Sequence, residues 1–348
     1  MKRIISCLLI TTLLMSSAFI FTACGRDRGE VLHFFNWMEF VDPDVLEMFY
    51  EEYGITVIMD NYDSNEFMYS RVTGGGGYDV LVPSDYMVER MISEGLLEKL
   101  DFSLLPNFVH IDPRFHNMPY DPTMEYVVPY MWGTLGIVYD TTRVHEPVTS
   151  WSALWDERYA GQIFMYDSVR DTMSLALKYL GFSLNTRNMD ELNQAVTLLQ
   201  RQMPLVQAYV GEPIKDKMIG GEGILSVMYS GDALYSMMMN PNLNYAVPIE
   251  GSNIWMDGLV IPVGARNIEG AHKFINFLSR PDIAALNAEY IWYTTANVTA
   301  LDIIDPELRF HPVFWPTQDE IDRSEYHADL GDFTAEYVRA MDRVKFGR

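Results

Sequence analysis

Two short stretches set an indole close to a carboxylate: Phe35-Asn36-Trp37-Met38-Glu39-Phe40 early in the chain, and Trp255-Met256-Asp257 far downstream. A carboxylate neutralises an ammonium, and an aromatic face adds a cation–π attraction of roughly 0.5–2 kcal/mol. The repeated pairing predicts a site for an organic cation. Two other stretches offer related groups. Pro83-Ser84-Asp85-Tyr86 supplies a hydroxyl, an acid and a ring, and Asp167-Ser168-Val169-Arg170-Asp171 supplies a hydroxyl between acids.

Other chemistries leave no comparable mark. None of the seven His falls in a His-Glu-x-x-His or similar ligand spacing, so no metal is expected. There is no Gly-x-Ser-x-Gly elbow. Gly74-Gly75-Gly76-Gly77 lacks a following Gly-Lys-Ser/Thr and reads as a flexible connection rather than a phosphate loop. Met237-Met238-Met239 reads as gap-filling core. No spacing singles out a carboxylate pair for glycoside hydrolysis. Neither a catalytic set nor a cofactor is expected, and the chain reads as a binding module rather than an enzyme.

These groups sit where strands hand over to helices. Val31 to Phe35 reads as a buried strand, and Asp42-Pro43 as the N-cap and first position of a helix ended by Gly54. Ile55–Met59 reads as a strand, and Ser64 as the cap of a helix over 65–73. Tyr78–Val82 is predicted as a strand that ends at Ser84 and Tyr86, followed by a helix to Ser93. Ile163–Tyr166 is predicted as a strand that ends at Ser168 and Asp171. Ligands of open α/β sheets bind at such strand ends. Helices are expected over 151–159, 189–202, 268–278, 282–290 and 333–344, and strands over 205–209, 224–229 and 243–247. Two long β-prone runs, Tyr126–Tyr139 with a bend at Gly133 and Ile254–Pro262, read as crossings between lobes. The alternation predicts an α/β protein with mainly parallel sheets, two lobes and a ligand cleft between them. Lobe 1 is expected over 31–132 and 256–303, and lobe 2 over 133–255 and 304–348.

With 348 residues, 49% of them hydrophobic, the chain can build two sizeable cores. Its net charge of −23 argues against nucleic acid and anionic lipid as partners and suits a cationic ligand. The N-terminus begins with basic Met1-Lys2-Arg3, continues apolar from Ile4 to Phe21, and reaches Thr22-Ala23-Cys24-Gly25. That order makes a secretory signal over 1–23, and its ending at Cys resembles a bacterial lipoprotein signal with Cys24 as the lipidated residue. Residues 24–30 form a polar tether. Only Cys7 and Cys24 exist, so the mature chain has no thiol left for a disulfide, a metal or a nucleophile. The expected location is periplasmic or extracytoplasmic, on a membrane anchor.

The stretches quoted above, with Ser64-Asn65-Glu66, Val128-Pro129-Tyr130, Thr149-Ser150-Trp151 and Ile275-Asn276-Phe277-Leu278 to Arg280-Pro281, give the chain a resemblance to the bacterial periplasmic spermidine/putrescine-binding proteins. These are the substrate-binding components of polyamine ABC transporters. The resemblance spans nearly the whole mature chain. It implies a type II periplasmic-binding-protein fold with two hinge crossings, a monomer, a polyamine ligand and a membrane permease as partner. It also implies ligand contacts at Trp37, Glu39, Phe40, Ser84, Tyr86, Ser168, Asp171, Tyr229, Trp255, Asp257, Tyr293 and His327. Several of these depart from the family pattern. Phe40 stands where Tyr is frequent, Asp171 where Glu is usual, Tyr229 where Trp occurs and His327 where Gln is common. Met38 and Gly211 replace hydroxyl residues. Ser168 stands where spermidine-preferring members have Asp, which tilts the expectation toward putrescine or dual recognition. The alternatives are another organic cation, or a polyamine sensor that feeds a receptor.

Overall fold

The computed structural model describes residues 29–211 and 213–347. The signal segment and Cys24 lie outside the described residues, as does most of the tether. The first strand, β1 (Val31–Trp37), is a nearly continuous apolar run. It pairs in parallel with β2 (Thr56–Tyr62) on one side and with β3 (Val80–Leu81) on the other. Three helices accompany this sheet: α1 (Pro43–Tyr53), α2 (Asn65–Thr73) and α3 (Asp85–Ser93). Local chemistry sets their limits. Asp42 accepts the Asp44 backbone N–H, Ser64 accepts that of Phe67, and Gly54 closes α1 at φ 69°. Strand β3 is shorter than the predicted 78–82. Asp79 turns its carboxylate to the backbone N–H groups of His33, Arg266 and Asn267.

The second sheet is built on β4 (Val128–Asp140), all 13 residues of which are buried. Its partners are β5 (Ile163–Tyr166), β6 (Val206–Val210), β7 (Leu225–Tyr229), β8 (Leu243–Ala246), β9 (Ile254–Leu259) and β10 (Thr294–Thr295). The near half of β4 pairs with β9 and β10, the far half with β7 and β8, all antiparallel. Only β5, β6 and β7 pair in parallel. The expectation of mainly parallel sheets therefore holds for the first sheet and fails for the second. The reason is that β4 and β9 are long runs in opposite directions that lie side by side. Single bridges, Leu81↔Val260 and Ser84↔Asp257, tie the end of the first sheet to β9.

The remaining helices are α4 (Val169–Tyr179), α5 (Met189–Gln202), α6 (Ile214–Ile219), α7 (Ser230–Met239), α8 (Ile268–Leu278), α9 (Pro281–Ile291), α10 (Pro306–Arg309), α11 (Gln318–Arg323) and α12 (Thr334–Phe346). Residues 151–159, predicted as one helix, instead form two 3₁₀ turns, Trp151–Trp155 and Glu157–Tyr159. Ser150 and Asp156 each accept a backbone N–H two residues on, which favours short turns over an α-helix. The larger core runs from the first sheet beneath the crossing strands. The smaller one joins the far half of β4 to α4, α5 and α12. Met238 and Met239, expected as gap-filling core, are both about half exposed, at 51% and 52%. Among the described residues no helix is long and apolar enough to cross a membrane.

Candidate functional site

Strand β9 carries Trp255 and Asp257 through the centre of the molecule, both buried. A row of rings surrounds the Trp255 indole. Tyr229 at the end of β7 meets it edge-on at 5.9 Å, and Tyr293 meets it edge-on at 5.1 Å. Tyr166 extends the row beyond Tyr229, and Phe40 extends it beyond Tyr293. Close approach is made possible by two glycines. A Cβ on Gly133 would lie 2.9 Å from the Trp255 ring and 2.5 Å from Ser230 Oγ, and one on Gly231 would lie 2.5 Å from the Tyr293 ring. Gly133 is thus a packing requirement; β4 runs through it unbroken rather than bending there.

The acids around this row differ in their surroundings. Asp257 is 5% exposed. Ser84 hydrogen-bonds its carboxylate, while Oδ1 has no partner within the chain. Burial pushes the carboxyl up to about 7, with Ser84 pulling the other way. Asp171, 3% exposed, accepts the Tyr229 hydroxyl at 2.7 Å and the Asn253 amide at 3.4 Å, both neutral donors. Among the described residues neither acid makes an ion pair. Asn253 Oδ1 and Asp85 Oδ2 are further buried acceptors with no donor. Unmatched buried acceptors are costly unless something supplies protons to them. An ammonium is all donor and meets that need.

The other predicted residues fall into separate settings. Trp37 packs on Tyr62 at 4.5 Å and donates Nε1–H to the Val82 carbonyl, and Tyr62 OH donates to the same oxygen. Ser84 is locked to Asn65 by two hydrogen bonds. Tyr86 donates to Glu66 and sets its ring against His327 at 6.1 Å. His327 shares a hydrogen bond with Ser174, and burial holds its imidazole well below the usual range, with Arg170 adding to the effect. Ser168 caps α4 by accepting the Asp171 N–H. Phe40 is buried against Tyr130 and Tyr293. Glu39 is different: its side chain is 71% exposed and pairs with Lys215 at 3.2 Å.

Trp255 and Asp257 on β9 are thus joined by Ser84, Tyr229 and Tyr293, with Asp171 bonded to Tyr229, Tyr86 against His327, Trp37 on Tyr62 and Glu39 at the rim. Sequence reasoning missed Asn253, Asp232 and Lys215. Asp232 lies in the first turn of the helix that follows strand β7, so the strand-end rule that found Ser84 and Asp171 points to it as well. Lys215 carries no local signal. Two non-glycine residues with left-handed backbone also flank the site: Glu39 at φ 53° and Trp292 at φ 65°. Trp292 ends α9 and directs Tyr293 inward.

Comparison with known proteins gives a consistent result. Residues 44–311 match the family model of bacterial extracellular solute-binding proteins. A spermidine/putrescine-binding periplasmic protein of Salmonella typhimurium is 38% identical over 330 residues, covering 94% of this chain and 95% of that protein. A solved structure of a putative spermidine/putrescine ABC transporter from Listeria monocytogenes is 39% identical, with a TM-score of 0.88 over 92% of this chain and 100% of that one. The Tp0655 (TpPotD) lipoprotein of Treponema pallidum is 28% identical, with a TM-score of 0.83 over 90% and 99%.

Proposed function

Since the chain belongs to the family of bacterial extracellular solute-binding proteins, we propose that it captures putrescine or spermidine outside the cytoplasm and delivers it to an ABC transporter. The observation that carries this reading is the Asp257 carboxylate, buried beside an indole with one oxygen unpartnered and, among the described residues, no cation paired with it. The methylenes of a linear amine lie along Trp37, Tyr229, Trp255 and Tyr293, and Tyr86 and His327 close one edge. Asp257 and Asp171 hold ammoniums. Each charge-assisted hydrogen bond to them contributes roughly 1.5–3 kcal/mol. Lobes 31–132 with 256–303 and 133–255 with 304–348 close on the ligand by hinge motion. Closure removes water, which strengthens pairing only when every ammonium meets an acceptor. The protein binds without turnover, acts as a monomer, and is held at the membrane through lipid on Cys24.

The test is calorimetric titration of the full chain, solubilised in detergent and stripped of carried-over ligand, with putrescine and spermidine. One-to-one binding of either amine is the expected result. A folded protein that binds neither would sink this reading.

A further inference from the structure

The chain keeps a cation of its own at one end of the aromatic row. Lys215, on α6, places Nζ 3.6 Å from Asp232 Oδ1 and 3.2 Å from Glu39 Oε2. The Lys215 and Asp232 side chains are 19% and 16% exposed. Asp232 is also hydrogen-bonded with Tyr293, whose ring abuts Trp255. Lys215 is therefore anchored beside Asp232 and reaches across to the β1–α1 loop, just past the ring that ends the row.

A charge count follows. Of the buried acids around the row, Asp232 has Lys215, and Asp85 is held well above the usual carboxylate range by burial, with the Tyr86 backbone N–H pulling the other way, so it adds little charge. Asp171 and Asp257 are left with neutral donors only. Glu39 is answered by Lys215 on one side and by solvent on the other. Two buried carboxyls with no cation of the described residues beside them remain for a ligand to match. A third ammonium at the Tyr293 end would meet the Lys215 ammonium, and like charges at short range in a desolvated cleft repel strongly.

Resting on the polyamine reading above, we propose that Lys215 is a specificity-determining residue: its ammonium stands in for a third ligand ammonium, so the site takes a linear diamine in preference to a triamine. Ser168 lies on a different element, where it caps α4.

The experiment is titration of the full chain and of its Lys215→Met variant with putrescine and with spermidine, alongside a thermal unfolding scan of each. The expected result is that the unmutated protein binds putrescine about tenfold or more tightly than spermidine, the scale of one charge-assisted contact. In the folded variant the ratio moves toward spermidine by a similar factor. A wild-type preference for spermidine, or equal affinity, overturns the inference without any variant. An unchanged ratio in a folded Lys215→Met protein overturns it as well. If the unmutated protein binds neither amine, the polyamine reading itself falls and takes the inference with it.

Discussion

Asp257 shows most directly how burial becomes function. In the ligand-free fold, desolvation favours its uncharged form, with the carboxyl pushed up to about 7. The unfolded chain gives up the same proton near the ordinary carboxylate value of about 4. The sign follows: this group leaves the fold unpenalised at low pH and costs stability as pH climbs from about 4 through about 7. An ammonium needs the ionised form, so the linkage for binding runs the other way. Affinity should fall as pH drops below about 7, and binding at about pH 6 should release close to one proton. Titration in two buffers of different ionisation enthalpy measures that release. Asp257→Asn should abolish the release and weaken binding by more than tenfold, since it removes a charge-assisted contact of roughly 1.5–3 kcal/mol. An unchanged affinity in that variant would remove Asp257 from the site.

At the scale of elements, the site depends on backbone that allows large rings to approach it. Gly133 on β4 leaves room for Trp255, and Gly231 at the start of α7 leaves room for Tyr293. Gly133→Ala forces a Cβ into an indole packed edge-on against two tyrosine rings, a form of overpacking that costs about 1–3 kcal/mol. The expected outcome is a lower unfolding midpoint and at least tenfold weaker amine binding. A variant with wild-type affinity would show that the indole can move aside at no cost to the site. Element legibility followed the range of the forces involved. The helices Pro43–Tyr53, Asn65–Thr73, Met189–Gln202 and Ile268–Leu278 are readable because their caps and apolar stripes are local. The 151–159 segment misleads because Ser150 and Asp156 cap short turns inside what looks like one helix.

At the scale of the whole molecule, an acidic body with a cationic ligand needs an attachment that does not depend on charge, and the Cys24 lipid would supply it. Cys24→Ser should move the protein from the membrane fraction to the soluble fraction while leaving polyamine affinity intact, as fractionation followed by titration would measure. The indole–carboxylate pairs, the strand-end placement of Ser84 and Asp171, most helix limits and the crossing runs are legible from the residues alone. All of these are written in neighbouring residues, where caps, periodicity and residue chemistry act. Only the tertiary structure decided how the acids divide. Asp257 and Asp171 became buried carboxyls with no cation of the described residues paired to them, Glu39 went to an exposed rim beside Lys215, and Ser168 accepts a helix-cap hydrogen bond. Burial and long-range ion pairing depend on segments more than a hundred residues apart, as Glu39 and Lys215 are. No local pattern encodes the electrostatic outcome of such a meeting.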